Sequence, residues 1–213
     1  MSFIHLRVAS AYSFKYGTTQ PRDLVARASE LEMPALALTD RDGLAGAIRF
    51  TKAAVTHGIA PIIGVNLTIR IGDTSGALPR VTVLAHGDGG WRSLVRLMTG
   101  LQMNSPDRTP VLTTELLEKF SSYTSQLHLL HGPESPVSQA LTAHRFDAAL
   151  TIFNQTRDLF ADHAIECVSH LAPGNGPRST AHAARSLIFA RDNDIDAVLT
   201  NAVRMCHRDD GPV

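Results

Sequence analysis

Short runs of apolar residues alternate along the whole chain with longer amphipathic stretches. The short runs are rich in Val, Ile, Leu and Ala, and runs of this length and composition are typical of buried strands. Seven of them predict strands, at residues 3–9, 35–39, 62–69, 81–85, 126–131, 164–170 and 197–200.

The stretches between these runs repeat their apolar residues every three to four positions, which predicts helices. The first helix begins near Pro21, a residue suited to a first helical turn, and Gly58 is a natural stop for the second. The other helices are predicted at residues 91–103, twice within 135–161, and at 178–193.

Strands that alternate with helices predict an α/β domain of parallel strands joined by right-handed crossovers. A dinucleotide-binding fold has no support, because no Gly-x-Gly-x-x-Gly follows the first strand. Along residues 3–9, apolar side chains share one face while His5 and Arg7 lie on the other. A polar face directed into a lumen favours a closed sheet. We expect an irregular, seven-stranded parallel barrel, similar to a TIM barrel, as a single domain over residues 1–213.

Composition and charge narrow the classes of function. The 213 residues include 20 Lys and Arg and 20 Asp and Glu, so the net charge is near zero at pH 7. A free-standing nucleic-acid-binding domain carries a basic excess, so direct DNA binding is not expected to be the main function, although a local patch stays open. The chain has no signal-peptide pattern and no apolar run near the ~20 residues that span a bilayer. We expect a cytoplasmic protein without a membrane partner.

Functional side chains of α/β barrels gather at the C-terminal ends of the strands. A histidine lies at the end of three predicted strands: His86 directly after the strand at 81–85, His131 and His170 as the last residues of theirs. Three imidazoles are sufficient to hold a single zinc ion. Histidine is also common at strand ends without any ligand, so the two interpretations stand side by side.

Three sequence blocks carry a resemblance to a known family. They read HLRVASAYS at 5–13, ALALTDRDGL at 35–44 and PIIGV at 61–65, and TNAVR follows at 200–204. The blocks and their spacing resemble the N-terminal PHP (polymerase and histidinol phosphatase) domain of bacterial DNA polymerase III alpha subunits, over essentially the whole chain. The resemblance implies that family's α/β barrel and a metal site built from His, Asp and Glu at the strand ends.

The resemblance also implies that seven ligand positions have lost their ligand type. They are Arg7, Ala9, Tyr16, Arg41, Asn66, Ala202 and Arg204. Arginine keeps its proton and cannot coordinate a cation, alanine has no donor atom, and the asparagine carbonyl is a weak ligand for zinc-like ions. We therefore expect no zinc, no other divalent metal, no other cofactor and no catalytic residue.

Arg7, Arg41 and Arg204 leave two interpretations open. They could pair with Asp40 and Asp42 in a structural cluster that closes the former metal cleft. They could instead bind a phosphate group through bidentate hydrogen bonds.

By resemblance, the parent family is a DNA-directed DNA polymerase, a nucleotidyltransferase of replication or error-prone repair. We expect a metal-free, non-catalytic module that contacts the polymerase core and other replisome subunits and reaches DNA only indirectly. This chain alone, whether part of a longer polymerase or a short gene product, is not expected to be an active enzyme. The alternatives are a residual metal-dependent phosphoesterase or 3′–5′ proofreading exonuclease, and a phosphate-binding regulatory domain.

Overall fold

The computed structural model describes residues 3–71, 78–105, 109–157, 159–160 and 162–207. The chain divides into two compact units. The first consists of Met1–Asn66 and Thr200–Val213, and the second of Leu67–Leu199. That both units form a single domain stays a prediction.

The helices and strands follow the predicted alternation in part, since β2 leads directly to β3 and no element was predicted where β4, α4 and α5 lie. The first unit contains α1 (Pro21–Glu30), β1 (Ala35–Leu38), α2 (Ala47–Thr56) and the first part of β2 (Ala60–Arg70). The second contains the rest of β2, β3 (Arg80–Ala85), α3 (Gly87–Met103), β4 (Val111–Thr113), α4 (Thr114–Lys119), α5 (Ser121–Thr124), β5 (Leu127–His131), α6 (Pro136–Thr142), α7 (Phe146–Arg157), β6 (Asp162–Val168), α8 (Thr180–Asp192) and most of β7 (Ala197–Thr200). No helix in the described part of the chain combines the length and apolar character needed to cross a membrane.

In the first unit, α1 and α2 pack against each other and share an apolar core with β1. Pro21 occupies the first turn of α1, as predicted, and Leu24 and Ala28 on one face of this helix are buried. All four residues of β1 are buried, and so is Phe50 of α2. This core supports the segments that follow β1 and precede α1, where the candidate site lies.

Residues 3–9, predicted as the first strand, do not form a regular strand. Val8 makes an isolated parallel bridge to Val203, and the amide of Ala37 donates to the carbonyl of His5 at 2.9 Å. The polar–apolar alternation therefore located an extended segment beside β1, but its pairing is too intermittent to make a strand.

The sheet of the second unit is mixed. Its strands follow the order β2-β3-β5-β6-β7, with β4 beside β2. β4 is parallel to β2 and β6 is parallel to β5, but β3 is antiparallel to β5. The α/β class is confirmed, whereas the all-parallel barrel is wrong in strand direction. Only nine residues connect β2 to β3, fewer than the dozen or more that a parallel crossover needs. The alternation of strands and helices, on which the prediction of parallel strands rested, is interrupted there.

Helix α3 begins earlier than predicted, at Gly87 instead of Trp91. Glycine is a poor helix former, but Gly90 has a packing role: a Cβ there would lie 2.7 Å from the carbonyl oxygen of Gln126, just before β5. The predicted apolar face is confirmed, since Leu94, Leu97 and Leu101 are all fully buried.

Candidate functional site

The seven positions at which the family's ligands are expected all belong to the first unit. Val203 brings four of them together, because it lies between Ala202 and Arg204 and pairs with the segment from Arg7 to Ala9. The amide of Ala9 donates to the carbonyl of Val203 at 2.9 Å, and the amide of Val203 donates to the carbonyl of Arg7 at 2.9 Å. Paired backbones therefore hold two pairs of candidate positions side by side.

Tyr16 lies between the guanidinium groups of Arg41 and Arg204. The guanidinium carbon is 3.4 Å from the ring centre in Arg41 and 4.1 Å in Arg204. Two guanidinium groups this close to one ring centre would overlap on a single face, so they occupy opposite faces. Both distances allow cation–π attraction, and the planar guanidinium suits stacking on an aromatic ring. We call these three side chains the arginine–tyrosine stack.

The remaining four positions are buried, and backbone pairing connects them with the residues of the stack. Arg41 forms a parallel bridge with Asn66, and Asn66 is 3% exposed. Arg7 is 5% exposed, while Ala9 and Ala202 are buried without any side-chain donor atom. The structure thus brings all seven positions into one neighbourhood, and none of them carries a His, Cys, Asp or Glu side chain.

The carboxylate of Asp40 is bound by two serines, not by the arginines. Asp40 is 2% exposed. Ser10 donates its amide to Oδ1 at 2.7 Å and its hydroxyl to Oδ2 at 2.8 Å, and the Ser13 hydroxyl donates to Oδ1 at 2.7 Å. The Ser13 hydroxyl in turn accepts from the amide of Arg41 at 2.9 Å. Within the described residues no arginine pairs with Asp40, so the part of the ion-pair hypothesis that involved this carboxylate is not realised.

These bonds fix the loop formed by residues 10–17, which carries Tyr16. The amides of Tyr16 and Gly17 both donate to the carbonyl of Ser13, at 2.9 and 3.0 Å. A Cβ on Gly17 would lie 2.2 Å from the carbonyl oxygen of Ser10, so only glycine fits. The loop is closed on itself and anchored to Asp40, which places the Tyr16 ring beside Arg41.

Sequence reasoning did not connect Ser10 and Ser13 with Asp40. A signal was present, because the serines follow one extended segment and the aspartate follows the next. Neighbouring segments that run in the same direction bring their ends together, and short hydroxyl side chains are suitable donors to a buried carboxylate.

The three histidines considered as zinc ligands lie in the second unit and are not brought together as a group. Ala85 pairs with Leu127 in the antiparallel β3–β5 ladder, so His86 and His131 lie beyond opposite ends of that ladder. His131 is buried, whereas His86 and His170 are exposed. Among the described residues, no three or more His, Cys, Asp or Glu side chains are arranged to hold a metal ion. The zinc hypothesis gains no support from this geometry.

His131 has instead the environment of a core residue. It is 2% exposed, and its ring lies 5.2 Å from that of Phe153 and 6.0 Å from that of His163. Its Nδ1 atom has no hydrogen-bond partner. Burial, followed by the charge of His163, lowers the pKa of His131 to about 3. The ring is therefore neutral across the physiological range.

Comparison with known proteins identifies the family. Residues 5–170 match the family model of the PHP domain, which is more than half of the chain. The chain belongs to the PHP family. The resemblance seen in the sequence blocks is confirmed.

Curated relatives of this PHP domain are bacterial DNA polymerases. The chain is 41% identical over 109 residues to an error-prone DNA polymerase of Corynebacterium efficiens, which covers 51% of this chain and 10% of the relative. It is 32% identical over 192 residues to an error-prone DNA polymerase of Mycolicibacterium paratuberculosis, and the match covers 85% of this chain and 17% of the relative. It is 34% identical over 140 residues to a DNA polymerase III subunit alpha of Buchnera aphidicola, and the match covers 65% of this chain and 12% of the relative. The chain thus spans only about a tenth to a sixth of the length of these relatives.

Solved structures share the fold at low identity. A candidate metal-dependent phosphoesterase of Bifidobacterium adolescentis has a TM-score of 0.59 at 14% identity, covering 95% of this chain and 88% of the other. An amidohydrolase of Chromobacterium violaceum, with bound sulfate and no metal, has a TM-score of 0.57 at 14% identity, covering 95% and 87%. At such identity the likeness establishes the fold alone.

The Asp40 network predicts a large loss of stability in Asp40→Ala. The change removes the acceptor of a buried amide and two hydroxyls, and each buried group left unpaired costs about 1–3 kcal/mol. We expect the free energy of unfolding to fall by about 3 kcal/mol in urea titrations. Asp23→Ala is the control, because Asp23 is half exposed and pairs with exposed Arg22, and should cost less than about 1 kcal/mol. Equal losses in the two variants would contradict the assigned role of Asp40.

The buried His131 predicts a dependence of stability on acid. Its pKa is lower in the folded chain than the ordinary 6.5, so the unfolded chain binds the extra proton as the pH falls. The contribution of the neutral His131 ring to the free energy of unfolding is fully present above about pH 6.5. It is lost as the pH falls towards 3, at about 1.4 kcal/mol per pH unit. His131→Leu should reduce the slope of unfolding free energy against pH between 4.5 and 6 by about that amount. An unchanged slope in His131→Leu would refute the prediction.

Proposed function

We propose that this PHP domain binds no metal ion at the family's ligand positions. It serves as a non-catalytic structural and interaction module of a bacterial replicative or error-prone DNA polymerase in the cytoplasm. The arginine–tyrosine stack carries the proposal, because it fills three of the seven positions with two cations and a phenol ring.

The donor set around the stack does not fit a divalent cation. Ala9 and Ala202 offer no side-chain donor, and the guanidinium groups of Arg7, Arg41 and Arg204 are permanently charged. A unit positive charge about 4 Å from a cation contributes roughly 4 kcal/mol of repulsion per unit of cation charge near a protein surface. Three such charges near one place oppose metal binding more strongly than Asn66 alone can favour it.

The loss of metal removes the source of a phosphoesterase nucleophile, since a bound metal is what makes hydroxide available from water near neutral pH. The hydroxyls of Ser10 and Ser13 do not replace it, because both donate to the Asp40 carboxylate. In the part of the chain that the structure describes, neither serine is hydrogen-bonded to a histidine base that would activate it. A supporting role beside the polymerase core and other replisome subunits is then the function that best fits the names of the relatives.

Metal content and hydrolysis test this proposal together. The chain is purified without chelator, incubated with Zn²⁺ or Mn²⁺, desalted and measured by elemental analysis. Hydrolysis of bis-p-nitrophenyl phosphate and shortening of a labelled single-stranded oligonucleotide are then assayed. We expect metal well below one equivalent and no metal-dependent product.

The other outcomes separate the alternatives. One or more equivalents of metal with hydrolysis that Asn66→Ala abolishes would establish the residual phosphoesterase or exonuclease instead. One equivalent of zinc that is lost in His131→Gln but retained in Asn66→Ala would instead indicate the histidine site with His86 and His170.

Phosphate binding is a second candidate function. The clustering of Arg7, Arg41 and Arg204 favours it, and the amidohydrolase of similar fold holds a sulfate without metal. Guanidinium groups can bind phosphate bidentately, but in this chain those of Arg41 and Arg204 are stacked on Tyr16. If the arginines serve the stack, calorimetric titration with millimolar phosphate should give no binding heat. A saturable heat that disappears in Arg204→Gln would establish the regulatory phosphate site in place of the purely structural role.

A further inference from the structure

Three aromatic residues alternate along the loop of residues 10–17, and each has a cation over its ring. The guanidinium carbon of Arg49 lies 5.9 Å from the ring centre of Tyr12, and Nζ of Lys15 lies 5.6 Å from that of Phe14. Tyr16 carries the two guanidinium groups of the stack. We call Tyr12, Phe14, Lys15 and Arg49, together with the Tyr16 stack beside them, the aromatic–cation surface.

Phe14 is presented to solvent by a loop that is held in place. Its side chain is 84% exposed, more than any other large apolar side chain in the described residues. Its neighbour Ser13 is tied to Asp40, and Gly17 is packed against the backbone of Ser10. An exposed aromatic side chain on a loop that is already ordered is a suitable contact for a ligand, because little conformational freedom remains to be lost on binding.

The cations of this surface are available to an anion. Lys15 and Arg49 are both exposed, and neither forms an ion pair within the described residues. The carboxylate of Asp40, which belongs to the loop's own hydrogen-bond network, is buried and accepts hydrogen bonds from Ser10 and Ser13. The zero net charge of the whole chain is therefore compatible with a local positive patch.

We infer that the aromatic–cation surface binds single-stranded nucleic acid. Unpaired bases stack on exposed aromatic rings, while neighbouring Lys and Arg neutralise the phosphates. In a duplex the base faces are already stacked, so Phe14 and Tyr12 would contribute little. An acidic peptide would use the cations but has no base to stack on Phe14. The inference goes beyond the proposed structural role and does not depend on whether the domain binds metal.

Fluorescence anisotropy of the full chain with a labelled 12-nucleotide oligothymidine, compared with a 12-base-pair duplex at low salt, tests the inference. We expect the single strand to bind more tightly than the duplex. Phe14→Ala should weaken single-strand binding roughly tenfold, the loss of one stacked base, while Phe14→Trp should keep it. Lys15→Gln and Arg49→Gln should each lower the slope of log affinity against log salt by about 0.7.

Matched controls come from the second unit. Phe146→Ala removes another exposed phenylalanine, and Lys119→Gln removes a lysine that lies 5.7 Å from the ring of Phe120. Both should leave affinity and salt slope unchanged, and circular dichroism should show all variants folded. The inference is overturned by the absence of low-salt binding, by equal effects of Phe14→Ala and Phe146→Ala, or by equal affinity for the duplex. It is also overturned if polyglutamate competes as well as the oligonucleotide does, since that result would show a general anion surface.

Discussion

The buried carboxylate of Asp40 is the constraint on which the first unit depends. A carboxylate that is 2% exposed must receive hydrogen bonds that replace water, and Ser10 and Ser13 supply them. By doing so they fold the loop of residues 10–17 back onto the segment after β1. That one arrangement determines where Tyr16 stands, and it also directs Phe14 outward on a fixed backbone.

The position of Tyr16 explains how the guanidinium groups of Arg41 and Arg204 are accommodated in one neighbourhood. Like charges at short distance repel, and the negative faces of an aromatic ring offset part of that repulsion for Arg41 and Arg204. In our account, fixed guanidinium charges stand where the family's resemblance places metal ions. On our proposal, the region keeps its positive character and lacks the capacity to coordinate a cation and to activate water.

Periodicity predicted most of the helices and strands because local burial decides them. Pro21 at the start of α1 and the β7 strand at Ala197–Thr200 are found where the pattern put them. Alternation did not predict the direction of β3, because β3 pairs with β5, far along the chain. The short connection from β2 was a signal against a parallel crossover that the prediction did not use. That error also removed the basis for grouping His86 with His131. The resemblance placed the seven ligand positions, and the structure brings them together. The stack itself could not be foreseen, since it joins Tyr16, Arg41 and Arg204 through three-dimensional packing alone.

A crystal of the full chain soaked in Zn²⁺ tests the central claim most directly, through an anomalous difference map collected at the zinc absorption edge. Our account predicts no anomalous peak in the neighbourhood of Arg7, Asn66 and Ala202, with the Tyr16 ring still between the guanidinium groups of Arg41 and Arg204. A strong peak in that neighbourhood, with Asn66 or the backbone as ligands and the arginines turned away from Tyr16, would contradict it.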